Sequence, residues 1–363
     1  MVFAASRAGL AVVSMFAWVG DPAPRRSVTQ VARLWAAQYD SPWFIAIAQH
    51  GYQKTPDASP AAFFPLYPLL IRIATPLTLG RPWVAALLVA NAALLGALIV
   101  LFRLAEHELG PAAAGRTIFY LVAFPTGFFL SAAYNEGLFI ALLAATVYCL
   151  RRQLWWRAGL LGALAAATRS AGILLLLAFA IELLRARPGW RDALAAGLVP
   201  LGLGAVMAVD RLAYGDPLAF SHTQAAHWGR HLAPPWQAPI DAVRRAGPPF
   251  TEIWVHNVLE LASVLALAAL LVPWLRRTRR DQVVYPLLGA ALLIFMISFP
   301  SRYTADIPYP LYSTSRIGLE VFPAFMALGV LGRRPWLDRA VLTTFLSAQG
   351  LLAAHFLHSG WVA

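Results

Sequence analysis

Apolar runs of leucine and alanine recur along almost the whole chain, and they leave little choice of solvent. The 363 residues are 60% hydrophobic and only 13% charged, with a mean hydropathy of +0.63. Soluble domains carry about 25% charged residues. A helix crosses a bilayer with about 20 apolar residues, and stretches such as 83–104 supply them repeatedly. The alternating pattern of a membrane barrel is absent, so backbone groups in lipid must be satisfied within helices. The expectation is an all-α, polytopic transmembrane helical bundle of about ten to eleven passes, forming one domain over 1–363.

The passes follow from where the runs break. A retained first span is expected over 3–20, since no small-x-small cleavage site follows it cleanly. The first outer loop then covers 21–82. Within it, Ser41-Pro42 reads as an N-cap with proline at the first helical position, and Gly51 as the C-cap. The short helix 43–50 places Phe44, Ile47 and Ala48 on one face and suits the membrane interface, with Trp43 and Tyr52 at headgroup level. The segment 64–79, broken by Pro65, Pro68 and Pro76 and carrying Arg72, reads as interfacial or re-entrant. Further spans are expected over 83–104, 116–130, 137–150, 193–209, 258–275, 283–299, 317–331 and 340–358. The run 158–184 is interrupted by Thr168-Arg169-Ser170 and flanked on both sides by arginines, so it should enter and return as two short helices.

The net charge of +12, from 29 Lys+Arg against 17 Asp+Glu, is accounted for by cytoplasmic loops under the positive-inside rule and is no sign of a nucleic-acid partner. With the arginine-rich connections inside, Asp40, His50, Asn135, Glu136, Arg169, Arg302 and Arg316 collect on the outer face. Cys149 is the only cysteine, which excludes an intrachain disulfide and a thiolate metal cluster. His222, His227 and His231 have no patterned carboxylate beside them, so no metal site is assigned. No phosphate-binding glycine loop and no G-x-S-x-G nucleophile elbow occurs.

Polar groups at membrane depth are costly and usually functional. Asp40 could be an Asx turn or helix cap; its catalytic reading is a general base that takes the proton of an attacking hydroxyl, with Tyr39, Trp43 and Phe44 as a sugar platform. Glu136 could complement a helix dipole, or act as a second carboxylate on a sugar hydroxyl or through a metal ion. Arg169 interrupts an apolar run, where snorkelling is its one inexpensive alternative. A guanidinium there suits a lipid-linked phosphate. Arg316 is a second candidate for that role, expected to be the more exposed.

The strings YDSPWFIAIAQHGY, AFFPLYPLL, FPTGFFLSAAYNEGLF and ATRSAGILLL, in that order, resemble PIG-V type mannosyltransferases of the GT-C glycosyltransferase fold. The resemblance is strong over 34–184; beyond it, PSRYT and STSRIGLEVFPAFMALG are similar to the family's C-terminal pattern. It implies an enzyme that moves a sugar, typically mannose, from a polyprenyl-phosphate donor to a lipid, glycan or protein acceptor on the non-cytoplasmic face. On that basis Asp40 and Glu136 are catalytic candidates. Trp43, His50, Tyr52, Tyr134, Asn135, Arg169, Arg302 and Arg316 are substrate-binding candidates. No cofactor is required, although a divalent metal such as Mg or Mn fits the chemistry. Tyr39 stands where the pattern more often has Trp or Phe, and Pro42 follows Ser41. The arginine-rich, lysine-poor composition points to a bacterial plasma membrane. A carrier or flippase for a lipid-linked glycan is the alternative, but it should spread polar groups through the bilayer midplane rather than gather them near one face.

Overall fold

Proline and glycine set the lengths of the helices. The longest, Pro82–Leu109, carries proline in its first turn, where no helical hydrogen bond is lost, and stops at Gly110 with φ +87°. The helix Pro111–Ala123 ends two residues before Pro125, leaving Gly127–Leu130 as a separate 3-10 turn. The structure, a computed structural model, describes residues 1–19, 27–54, 60–277, 279–301 and 309–362, with backbone alone for 273, 275–277 and 280.

All regular structure among the described residues is helical. Among the described residues four helices are long and apolar enough to cross a bilayer: Pro82–Leu109, Trp190–Tyr214, Glu252–Val272 and Pro335–Leu357. The pair Thr314–Glu320 and Phe322–Leu331, bent by 78°, makes a fifth if taken as one span. The chain is an all-α integral membrane protein, but its helices of spanning length fall short of the ten to eleven passes that the apolar runs suggest. Several runs yield shorter helices, among them Val2–Phe16, Leu66–Thr78 and Val284–Ile297, and the run 137–150 gives the 16-residue helix Glu136–Arg151. Pro323, in the first turn after the bend, has no N–H with which to continue the previous ladder, so 317–331 is not one straight helix. The run 158–184 does divide, into Trp155–Ala166, the 3-10 turn Ser170–Leu174 and Leu175–Ala186.

The described residues group into two compact units. The first contains Met1–Gly51, Pro65–Ala145 and Leu328–Val362. There Arg7, a charge in the first apolar helix, donates to Asn91 Oδ1 at 2.7 Å, and Asn91 Nδ2 donates to the Ser131 carbonyl at 3.1 Å. Where Pro125 breaks the helical ladder, Gln349 Nε2 donates to the carbonyls of Val122 and Phe124 at 2.7 and 2.8 Å. A buried carbonyl left without a donor would be costly, and this one side chain relieves two.

The second unit contains Tyr52–Phe64 and Thr146–Ala327. In it Trp155–Ala166 packs along Leu198–Tyr214. The fit depends on small residues, as is usual where lipid removes the hydrophobic drive for helix association. A Cβ on Gly202 would collide with the Ala163 backbone, whereas one on Gly204 would meet nothing within 4 Å. Arg151 is bound by Glu182 Oε1 at 3.1 Å and by the Asp281 carbonyl, and Glu182 also takes Arg185 Nε at 2.6 Å. Gly202→Ala should destabilise the protein by about 1–3 kcal/mol through overpacking, while Gly204→Ala on the same helix should not. Thermal unfolding of both variants in detergent checks this, and equal midpoints would contradict the packing.

Candidate active site

Asp40 sits where a loop becomes a helix. The helix Ser41–His50 takes Pro42 into its first turn and closes at Gly51 with φ +74°. Asp40, not Ser41, occupies the N-cap position, with helical backbone angles and no side-chain capping bond. The sequence assignment of the cap is therefore off by one residue, and capping is not what the Asp40 carboxylate does. Phe44, Ile47 and Ala48 are buried on one face as their spacing requires, and Phe44 meets Tyr67 edge-on at 5.0 Å. Trp43 is half-buried; His50 is exposed at the far end of the helix, about 15 Å along the axis from Asp40 at 1.5 Å per residue. The structure does not bring His50 to the carboxylate.

The residue before Asp40 is strained. Tyr39 has φ +49°, in the left-handed region that a bulky residue enters at a cost of about 1–3 kcal/mol. Its hydroxyl donates to the Ser359 carbonyl at 2.7 Å, and its ring meets Trp361 edge-on at 4.9 Å. Gln38 Nε2 donates to Ser359 Oγ at 3.2 Å. The segment around Ser359 thus helps fix the direction in which Asp40 leaves the loop. Sequence reasoning missed this contribution, because nothing local links residues 320 positions apart.

Tyr134, Asn135 and Glu136 form the turn into the helix Glu136–Arg151, at 2%, 6% and 1% exposure. This turn is bonded to the Asp40 loop. The Ala133 N–H donates to the Trp35 carbonyl at 2.8 Å, the Tyr134 hydroxyl donates to the Gln38 carbonyl at 3.3 Å, and the Asp40 N–H donates to the Tyr134 oxygen at 3.4 Å. Tyr134 is placed as a buried brace; Phe129 packs against it edge-on at 5.1 Å. Glu136, in the first turn of its helix, lies where the helix dipole favours negative charge.

The second unit holds the arginines. Arg169 stands in extended backbone between two helical segments, and its Nε lies 2.9 Å from Glu320 Oε1. Arg316 is 7% exposed, so the expectation that it would be the more accessible arginine is wrong: the short helix Thr314–Ile317 buries it. Beside it, Glu260 accepts from the Ser315 N–H and, at 3.0 Å, from Ser315 Oγ. Sequence reasoning overlooked both carboxylates, although each is an isolated acid in an apolar run. Tyr52 belongs to this unit. Its hydroxyl donates to the Phe63 carbonyl at 2.5 Å, and burial, then Asp210 and Tyr214, push its pKa upward. Arg302 lies outside the described residues.

The three histidines are not assembled. His222 contacts Asp216 at 2.6 Å, while His227 and His231 contact the backbone of Thr223 and Gly229. Among the described residues no group of three or more His, Cys, Asp or Glu is placed to hold a metal ion.

Comparison with known structures identifies the class first. ArnT from Cupriavidus metallidurans, in a crystal structure bound to undecaprenyl phosphate, superposes with a TM-score of 0.56 at 14% identity, covering 96% of this chain and 77% of that one. Its apo structure gives 0.54 at 16% identity, covering 95% and 64%. The fold is of GT-C type. Within that class, residues 26–186 match the family described as Mannosyltransferase (PIG-V). The rat GPI alpha-1,6-mannosyltransferase 2 is 35% identical over 166 residues, 42% of this chain and 33% of that protein; the mouse protein is 36% identical over 149 residues, 38% and 29%. The matched segment spans about a third of the length of these relatives, and both motifs joined by Tyr134 lie inside it.

If the Ser359 contacts hold the loop, Tyr39→Phe should weaken it by about 1 kcal/mol, the usual worth of one hydrogen bond. Amide hydrogen exchange should then quicken at residues 40–43 and stay unchanged in 198–214. Unaltered exchange at 40–43 would contradict the brace.

Proposed function

We propose that the chain is a membrane glycosyltransferase that takes a mannosyl or similar hexosyl group from a polyprenyl-phosphate donor. It delivers the sugar to an acceptor hydroxyl on the non-cytoplasmic face of a bacterial plasma membrane. The observation that carries the reading is the bonding of the Asp40 loop to the Tyr134-Asn135-Glu136 turn, inside the segment that matches the mannosyltransferase family. The donor class is supported by the undecaprenyl phosphate bound in the ArnT structure of the same fold.

The reaction is a single inverting displacement. The Asp40 carboxylate takes the proton of the acceptor hydroxyl as its oxygen bonds to the anomeric carbon. The bond from that carbon to the phosphate oxygen breaks, and its electron pair leaves on polyprenyl phosphate. Arg169 and Arg316 stabilise the charge that develops on the phosphate, as fixed cations in a low-dielectric setting do most effectively. Glu136 and Asn135 orient sugar hydroxyls, and Trp43 offers a ring face to the sugar while helping to exclude water.

Asp40→Asn keeps the size and one acceptor oxygen but cannot take the proton. Transfer from polyprenyl-phosphate-mannose in membranes should fall by about 10²–10⁴-fold, the usual worth of a general base, at normal expression. Undiminished turnover would remove Asp40 from the mechanism.

A further inference from the structure

Two buried carboxylates of the second unit, Glu320 and Glu260, take no part in the reaction described above, yet one of them governs a residue that does. Arg169 stands at a helix break with φ −155° and ψ +146°, so the surrounding helices do not by themselves fix where its side chain points. Its Nε is held by Glu320 Oε1 at 2.9 Å. The pair is asymmetric: the arginine side chain is 20% exposed and the glutamate 2%. The anion is the hidden half, and the cation is the half that a ligand can reach.

Glu320 is itself firmly placed. It ends the 3-10 turn Gly318–Glu320, at the 78° bend before Phe322–Leu331. The start of the same segment is anchored by Glu260, which accepts from both the backbone N–H and the Oγ of Ser315. Just before it, Ser313 adopts φ +61° at 1% exposure. A broken helix whose interruption carries charge is tolerated at membrane depth only where protein or a polar cavity surrounds it. An arginine's long side chain has many rotamers, and an ion pair with a buried carboxylate selects among them.

We propose that Glu320 is a positioning residue: it holds the Arg169 guanidinium in the orientation that receives a lipid-linked phosphoester, and it takes no part in bond making or breaking. This rests on the donor class proposed above. The role needs the charge of Glu320: Oε1 lies 2.9 Å from Arg169 Nε as an ion pair and accepts no hydrogen bond from it. Glu320→Gln keeps the shape and removes the charge; Glu320→Ala removes both.

The test compares donor KM and kcat of the full-length protein, its Glu320→Gln and Glu320→Ala variants, using polyprenyl-phosphate-mannose. If the alanine variant does not fold, Glu320→Met fills the same volume and replaces it. The glutamine variant and the alanine or methionine variant should each lower kcat/KM about tenfold or more, since misplacing a binding group by an ångström costs up to roughly 10²-fold; kcat falls as KM rises, because Arg169 also meets the charge that develops on the phosphate. A glutamine variant within about threefold of wild type in both constants would show that the charge does not hold Arg169, and unchanged constants in every variant would remove Glu320 from donor binding; either result overturns the inference. The thermal shift given by a short-chain polyprenyl phosphate reads the same residue without turnover. A shift present in a wild type that transfers nothing and lost in both the glutamine and the alanine variant would uphold Glu320 and reject the transferase reading. Normal wild-type transfer with unchanged KM in all variants would do the reverse.

Discussion

The Tyr134 hydroxyl is the interaction on which the candidate site of the first unit depends. It donates to the Gln38 carbonyl and accepts the Asp40 N–H, so one buried oxygen fixes the peptide groups on both sides of Tyr39, immediately before the residue that carries the carboxylate. Neither bond is short, and each alone would contribute about 1 kcal/mol. Their value is geometric. They tie a loop that precedes one short helix to a turn that opens another, and they do so where Phe129 and Phe356 wall off water. The strained Tyr39 is tolerable in this setting because Ser359 and Trp361 hold it from the other side. Strain of this kind persists only where its surroundings over-determine it.

Lipid imposes the second constraint. Every break in a helix frees backbone groups that water cannot reach, and the structure answers each break with a particular side chain. Gln349 serves the carbonyls before Pro125, and Glu260 serves the Ser315 N–H. Arg169, between Ala166 and Ser170, is met by Glu320. Asp40, Asn135 and Arg169 all stand at or beside places where the chain departs from regular helix. Irregular backbone and chemistry go together because each needs the same costly polar surroundings.

Much of this was legible in the sequence, and the failures have physical causes. Composition alone indicated helices in lipid. Phe44, Ile47 and Ala48 were buried as their 3.6-residue spacing required, and Thr168-Arg169-Ser170 marked a real break. The number of long helices was not legible, because an apolar run reports its solvent and not whether proline or a neighbouring helix divides it. Residues 317–331 are apolar enough to span and yet bend by 78°. The exposure of Arg316 was misjudged for a related reason: nearby serines and threonines suggested a loop, whereas Ser315 is bonded to a buried glutamate. Within the site, Asp40, Asn135 and Glu136 stood out as polar residues in an apolar chain. The Tyr39 and Tyr134 hydroxyls donate to the Ser359 and Gln38 carbonyls, contacts that no local pattern in the sequence announces.

The stereochemistry of transfer tests the central claim most directly. The proposed reaction has Asp40 deprotonate the acceptor as the donor bond breaks, in one displacement at the anomeric carbon with no covalent sugar–enzyme intermediate. Nuclear magnetic resonance of the first product formed from a donor of known anomeric configuration reads this directly. The account predicts a glycoside of the opposite configuration; a product that retains the donor's configuration would contradict it.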